Sequence, residues 1–107
     1  MSAIPTTTVT QLPDDAVLVD VREPHEWEAG HAPGAIHIPL GELPSRIGEL
    51  PETDDAVAIV CRSGGRSARA VQWLAQQGYD VVNVEGGMLE WHRTGKQLAG
   101  DGDPTIL

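Results

Sequence analysis

The chain has no phenylalanine, one tyrosine and one cysteine, and only seven basic residues against sixteen acidic ones among 107. Each shortage excludes something. A single cysteine rules out an internal disulfide framework and points to a reducing compartment, so a cytoplasmic location is expected. A net charge of -9 argues against nucleic acid and anionic membranes as partners, because neutralising phosphates needs surplus Lys and Arg. No apolar run approaches the ~20 residues needed to cross a bilayer. The opening "MSAIPTTTVT" lacks the basic-then-apolar order of a secretion signal. With phenylalanine absent, Trp27, Trp73 and Trp91 are expected to supply the large packing groups.

What is present suggests one domain over residues 1–107, with its core over about 6–98 and a loose, aperiodic tail over 99–107. "AVLVDVR" (16–22) and "AVAIVCR" (56–62) are short, β-branched apolar runs, the pattern of strands buried on both faces. "DVVNVEGG" (80–87) reads as a third strand, "AIHIPL" (35–40) as a shorter fourth and "TTTV" (6–9) as a weak edge strand. Helices are expected at 66–79, where Val71, Leu74 and Ala75 share a face, at 23–30 and at 87–95, with a broken one at 42–50. Strands alternating with helices imply an α/β fold with a parallel sheet covered on both faces. Such sheets bind ligands beyond the carboxyl ends of their strands. The residues there include Asp20, Arg22, Cys61 and Arg62.

The one cysteine thus stands at the chemical edge of the sheet, at the head of "CRSGGRS" (61–67). Gly64 and Gly65 permit positive φ, so the loop between strand and helix can turn its amides inward as an anion nest. The helix that follows adds the positive end of its dipole. A thiol at the base of such a nest, near the guanidinium groups of Arg62, Arg66 and Arg69, is expected to fall below the free value of ~8.5 and act as a nucleophile. Histidine is absent from the loop; His25, His31, His37 and His92 are scattered and have no ligand spacing for a metal. An activated thiolate without a general base suits a donor whose leaving group departs unprotonated, such as sulfite from thiosulfate.

Three ordered blocks, "LVDVREPHEWEAGHAPGAIHIPL" (18–40), "CRSGGRS" (61–67) and "VNVEGGMLEW" (82–91), resemble the rhodanese family of single-domain thiosulfate sulfurtransferases. The resemblance covers about residues 6–98. It implies a three-layer α/β/α fold around a five-stranded parallel sheet and no cofactor. It also implies a two-step displacement through a persulfide on Cys61. Sulfur would pass from thiosulfate to cyanide, a cellular thiol or an acceptor protein. Arg62, Ser63, Gly64, Gly65, Arg66 and Ser67 would line the donor site, with Arg62 and Arg66 binding the donor's charge. Asp20 and Arg22 either support the site or form a strand-end ion pair, and Arg69 either shapes the field or lies in solvent. From Cys61 to Arg66 the loop counts six residues, as in the sulfur-transferring branch; the related phosphatases carry one more. Ser63 and Arg66 stand where two-domain thiosulfate enzymes have a basic residue and threonine, which leaves the donor open. Arg62 disfavours mercaptopyruvate. Two further readings remain, a persulfide relay for a protein partner and a non-catalytic interaction domain. The protein is expected as a monomer or homodimer.

Overall fold

The structure is a computed structural model and describes residues 4–13 and 15–107. Five strands form one all-parallel sheet: β1 (Thr6–Thr8), β2 (Leu18–Asp20), β3 (Ile36–His37), β4 (Val57–Val60) and β5 (Val81–Glu85). Three α-helices accompany them: α1 (Pro24–Ala29) between β2 and β3, α2 (Gly65–Gln76) between β4 and β5, and α3 (Gly87–Arg93) after β5. The spatial order is β1-β5-β4-β2-β3. After β2 the chain adds β3 on one side, then returns to lay β4 and β5 on the other. The direction of winding therefore changes between β2 and β4, where an open α/β sheet forms its ligand crevice.

The central strands are what their composition demands. Every residue of β2 and β4 is buried, as strands flanked by helices on both faces require, and all are apolar except Asp20 at the end of β2. On one face Val71 and Leu74 of α2 pack with Val19, Val21, Ile38, Leu43 and Ile59. On the other, Met88 of α3 packs with Val9, Leu18, Ala58, Val60 and Val84. These two cores make the layered α/β/α arrangement. Partly buried Trp73 and Trp91 edge the first and second cores respectively. Trp27 instead stacks on His31 at 3.7 Å and on His37 at 4.8 Å between ring centroids. His31 Nδ1 also meets the Trp27 carbonyl at 2.8 Å, which fastens the turn after α1.

The elements are shorter than their apolar patterns. β3 spans two residues where six were expected, because Pro39 follows and a short 3-10 turn begins at Leu40. The segment 42–50 holds a second such turn at Ile47–Glu49 rather than an α-helix, as its proline and glycine require. The tail, residues 99–107, expected to be loose, touches the body at its two ends, with residues 100–103 exposed between them. Ala99 and His31 exchange backbone hydrogen bonds at 2.7 and 3.0 Å, and Thr105 N–H donates to the Ala29 carbonyl at 2.9 Å. Ile106 rests against the second core. Gly30 is required under this strap, since a Cβ there would overlap the Thr105 backbone. The strap has no periodicity because single contacts, not a repeating face, hold it.

Candidate active site

Cys61 follows the last residue of β4 directly, and α2 starts four residues later. Between them Gly64 takes φ +114°, a value that favours glycine, and caps the helix. That turn brings the loop amides round to one sulfur. The Gly64 N–H donates to Cys61 Sγ at 3.1 Å, the Ser67 N–H at 3.3 Å, and the Ser67 hydroxyl oxygen also lies at 3.3 Å. The N-cap of α2 and the third residue of its first turn therefore point amides at the sulfur, as the helix dipole would favour for an anion.

The thiol is buried, and its residue is 1% exposed. Apolar neighbours of the first core surround it on the sheet side, and N–H groups face it from the loop. Burial alone pushes the Cys61 thiol up. The hydrogen bonds from the Ser67 hydroxyl, the Ser67 N–H, the Gly64 N–H and the Ser63 N–H outweigh it and hold the thiol below its ordinary value. Peptide dipoles and one hydroxyl lead the stabilisation; the guanidinium charge invoked from sequence comes after them.

Two other segments keep the loop in this shape. The carbonyls of Cys61 and Arg62 turn away from the sulfur and accept from the Met88 N–H (2.8 Å) and the Leu89 N–H (3.0 Å) at the start of α3. With the carbonyls held outward, the amides beyond them face in. This approach explains the glycine pair of "VEGG". Gly87 has φ +56°, and a Cβ on it would overlap the carbonyl oxygens of Cys61 and Arg62. From β5, the buried Asn83 side chain meets Ser67 Oγ at 2.5 Å and donates through Nδ2 to the Gly64 carbonyl at 3.4 Å.

The first block supplies the opposite wall. Asp20 and Arg22 are fully buried and form a bidentate pair, with Arg22 Nη2 2.7 Å from Asp20 Oδ2. Arg22 also donates to the Gly30 carbonyl at 2.8 Å and the Glu26 carbonyl at 3.4 Å. It thereby ties the end of β2 to α1. That helix starts with Pro24 and a reciprocal Glu23–Glu26 capping box. The Glu26 carboxylate then accepts two hydrogen bonds from Arg66, at 2.6 and 2.8 Å. The Arg66 guanidinium holds the Glu26 carboxyl down at about 2.

Of the residues singled out in the sequence, Gly64 and Ser67 therefore converge on the Cys61 sulfur, and the Ser63 N–H adds to holding its pKa down. Gly65 opens α2, exposed to solvent. The Arg66 fork is taken by Glu26, which holds the Arg66 pKa up, and the Cys61 charge adds to that effect. Arg62 is exposed and donates through Nε to the Leu107 carbonyl at 2.6 Å. Arg69 lies on the outer side of α2, beside Leu40, Leu43, Pro44 and Trp73. Glu26 and Asn83 had not been assigned roles in the sequence. The capping-box spacing of Glu23 and Glu26 was the one signal available, and it concerns the helix rather than the site. Among the described residues, no cluster of three or more His, Cys, Asp or Glu side chains could hold a metal. No described helix is long and apolar enough to cross a membrane.

A family model for the rhodanese-like domain matches residues 6–94. A sulfurtransferase of Allochromatium vinosum is 45% identical over 83 residues, which make up 77% of each chain. YrkF of Bacillus subtilis, a candidate sulfur carrier protein, is 48% identical over 80 residues. That match takes in 74% of this chain but only 42% of YrkF, so the chain spans less than half of that relative. Among solved structures, a rhodanese-related protein of Thermoplasma volcanium superposes with a TM-score of 0.81 at 35% identity, over 89% of this chain and 97% of that one. The matched stretch runs from β1 to the end of α3 and includes every group that meets the Cys61 sulfur: the chain belongs to the rhodanese-like domain family.

Proposed function

We propose that the protein is a thiosulfate sulfurtransferase that carries sulfane sulfur on Cys61. The observation that carries this reading is the convergence of the Gly64 and Ser67 amides and the Ser67 hydroxyl on a lone thiol. In the first step the Cys61 thiolate attacks the outer sulfur of thiosulfate. The donor's S–S bond breaks, sulfite leaves with the electron pair, and a Cys61 persulfide remains. In the second step the carbon of cyanide or the sulfur of an acceptor thiolate attacks the outer sulfur. The Cys61 Sγ–S bond then breaks, and its electrons return to Sγ.

No proton has to move in either displacement, which suits a loop without a histidine. The loop from Arg62 to Ser67 would stabilise the charge on both sulfurs, the oxyanion-hole principle applied to sulfur. Arg62 and Arg66 would bind the donor's sulfonate by exchanging their present partners, Leu107 and Glu26. Asp20 and Arg22 would act through the placement of α1. Arg69 would add to the surface field only.

A second reading is a relay that passes the persulfide sulfur to a protein acceptor and turns over slowly with free cyanide. It is supported by the 48% identity to a candidate sulfur carrier. The intact Cys61 and its loop speak against a non-catalytic interaction domain.

Intact-mass analysis after incubation with thiosulfate, then cyanide, tests the proposal. One sulfur atom should be gained and then lost, and Cys61→Ser should show neither change. Mass gain persisting in Cys61→Ser would refute the assignment. Loading that is discharged by a thiol protein but not by cyanide would favour the relay. Turnover of an aryl phosphate exceeding sulfur transfer would reverse the choice between sulfur and phosphoryl chemistry.

A further inference from the structure

One hydroxyl proton near the thiol has three acceptors within reach. Ser67 Oγ lies 3.3 Å from Cys61 Sγ, 3.3 Å from the Gly64 carbonyl and 2.5 Å from Asn83 Oδ1. A serine hydroxyl has a single hydrogen, so it donates to one of these at a time. The orientation of Asn83 is set from its other end. Nδ2 donates to the Gly64 carbonyl at 3.4 Å, and the reversed amide would place two oxygens against each other there. Oδ1 is thereby left facing Ser67. Asn83 is buried, and its backbone is fixed in β5 between Thr6 of β1 and Ile59 of β4, so its side chain has little freedom to turn away.

We infer that Asn83 is a positioning residue for the sulfur chemistry, keeping the Ser67 proton while Sγ is uncharged and yielding it when charge returns to Sγ. The inference rests on Cys61 as the sulfur carrier. A hydrogen bond to an ionised acceptor is roughly twice as strong as one to a neutral acceptor. A Cys61 thiolate therefore draws the Ser67 proton away from the Asn83 amide. In the persulfide the charge sits on the outer sulfur, Sγ is a poor acceptor, and the proton goes back to Oδ1. When the acceptor removes the outer sulfur, Sγ becomes the leaving group and regains its donor as charge develops. An interaction made only then lowers the barrier of that step. Competition from Oδ1 also keeps the resting thiolate from being over-stabilised, which preserves its nucleophilicity.

The charged groups around the thiol are Arg66 of α2 with its partner Glu26 of α1, the Asp20–Arg22 pair beyond β2, and Arg62 of the loop. None of them contacts Asn83 through a hydrogen bond, so substitutions at Asn83 leave them in place.

The test is the pH dependence of iodoacetamide alkylation of Cys61 in the full chain. Asn83→Ala should lower the midpoint by roughly 0.5–1 unit, because the Ser67 hydrogen is then undivided. Asn83→Asp should raise it, through a stronger acceptor and an added charge. Ser67→Ala should also raise it, and adding Asn83→Ala to Ser67→Ala should produce no further shift. If the aspartate variant does not fold, Asn83→Ala and the Ser67→Ala pair still decide the matter. A midpoint unmoved or raised in Asn83→Ala, or moved equally in the Ser67→Ala background, would overturn the inference. Alkylation involves no sulfur donor. Failure of Cys61 to load sulfur counts against the proposed function, whereas an unmoved midpoint counts against this role for Asn83.

Discussion

Glu26 and Arg66 lie forty residues apart in sequence and meet through two hydrogen bonds of 2.6 and 2.8 Å beside the Cys61 loop. The pair joins the first sequence block to the second. It also neutralises a cation that would otherwise add to the field at the thiol. Glu26→Gln should release that charge. The expected result is an increase of about threefold to tenfold in the rate of alkylation by anionic iodoacetate relative to neutral iodoacetamide. An unchanged ratio would mean that the guanidinium does not act on the sulfur.

The same pair makes stability depend on acid. The Glu26 carboxyl sits at about 2 in the folded chain, against 4.5 unperturbed. A depressed carboxyl contributes stability above its unfolded value and loses it as pH falls through the folded one. The contribution should therefore be complete above pH ~4.5 and should fade towards pH ~2. Because Arg66 is a third exposed, about 1–2 kcal/mol is expected. Urea midpoints of the native chain and Glu26→Gln should converge across that window.

Asp20 and Arg22 form a different kind of pair, wholly removed from water. Removing one partner leaves a buried charge unmatched, so Asp20→Ala should cost about 3–5 kcal/mol. Arg22 would also lose its hold on the carbonyls of α1. Equilibrium unfolding in urea measures this directly, and a loss below about 1 kcal/mol would show the pair to be dispensable.

Gly87 can be separated from an ordinary left-handed glycine. Gly87→Ala combines φ +56° with overlap on the Cys61 and Arg62 carbonyls, whereas Gly34→Ala has φ +79° and open space around it. Gly34→Ala should cost about 1 kcal/mol. Gly87→Ala should cost at least ~2 kcal/mol more and raise the thiol's alkylation midpoint, because the loop must shift. Equal costs for the two substitutions would remove the α3 approach from the account.

All five strands and the position of Cys61 beyond β4 could be read from the sequence, because a strand buried on both faces must be apolar along its whole length. Val57–Val60 stands out for that reason, and Leu18–Asp20 does so up to its last residue, the buried and paired Asp20. The glycine pair at 64 and 65 likewise announced a turn. The partners of the charged side chains were hidden. Arg62 and Arg66 are expected from the sequence to bind the donor's charge, and nothing in the sequence gives their partners in the fold, Leu107 and Glu26. Such pairings depend on how α1 and the tail cross the loop, which no local pattern encodes. Asn83 was hidden for the same reason. Within "VVNVE" it reads as one polar residue of a strand, and only the packing of β5 beside β4 brings it under Ser67.

The claim on which the account rests is that the loop holds Cys61 as a thiolate. It is tested most directly by the pH dependence of alkylation of the native, folded chain. The midpoint should lie clearly below the ~8.5 of a free cysteine, and denaturant should return it to that value. A midpoint at or above ~8.5 in the folded protein would mean that burial outweighs the amides, and the proposed sulfur transfer would have no nucleophile.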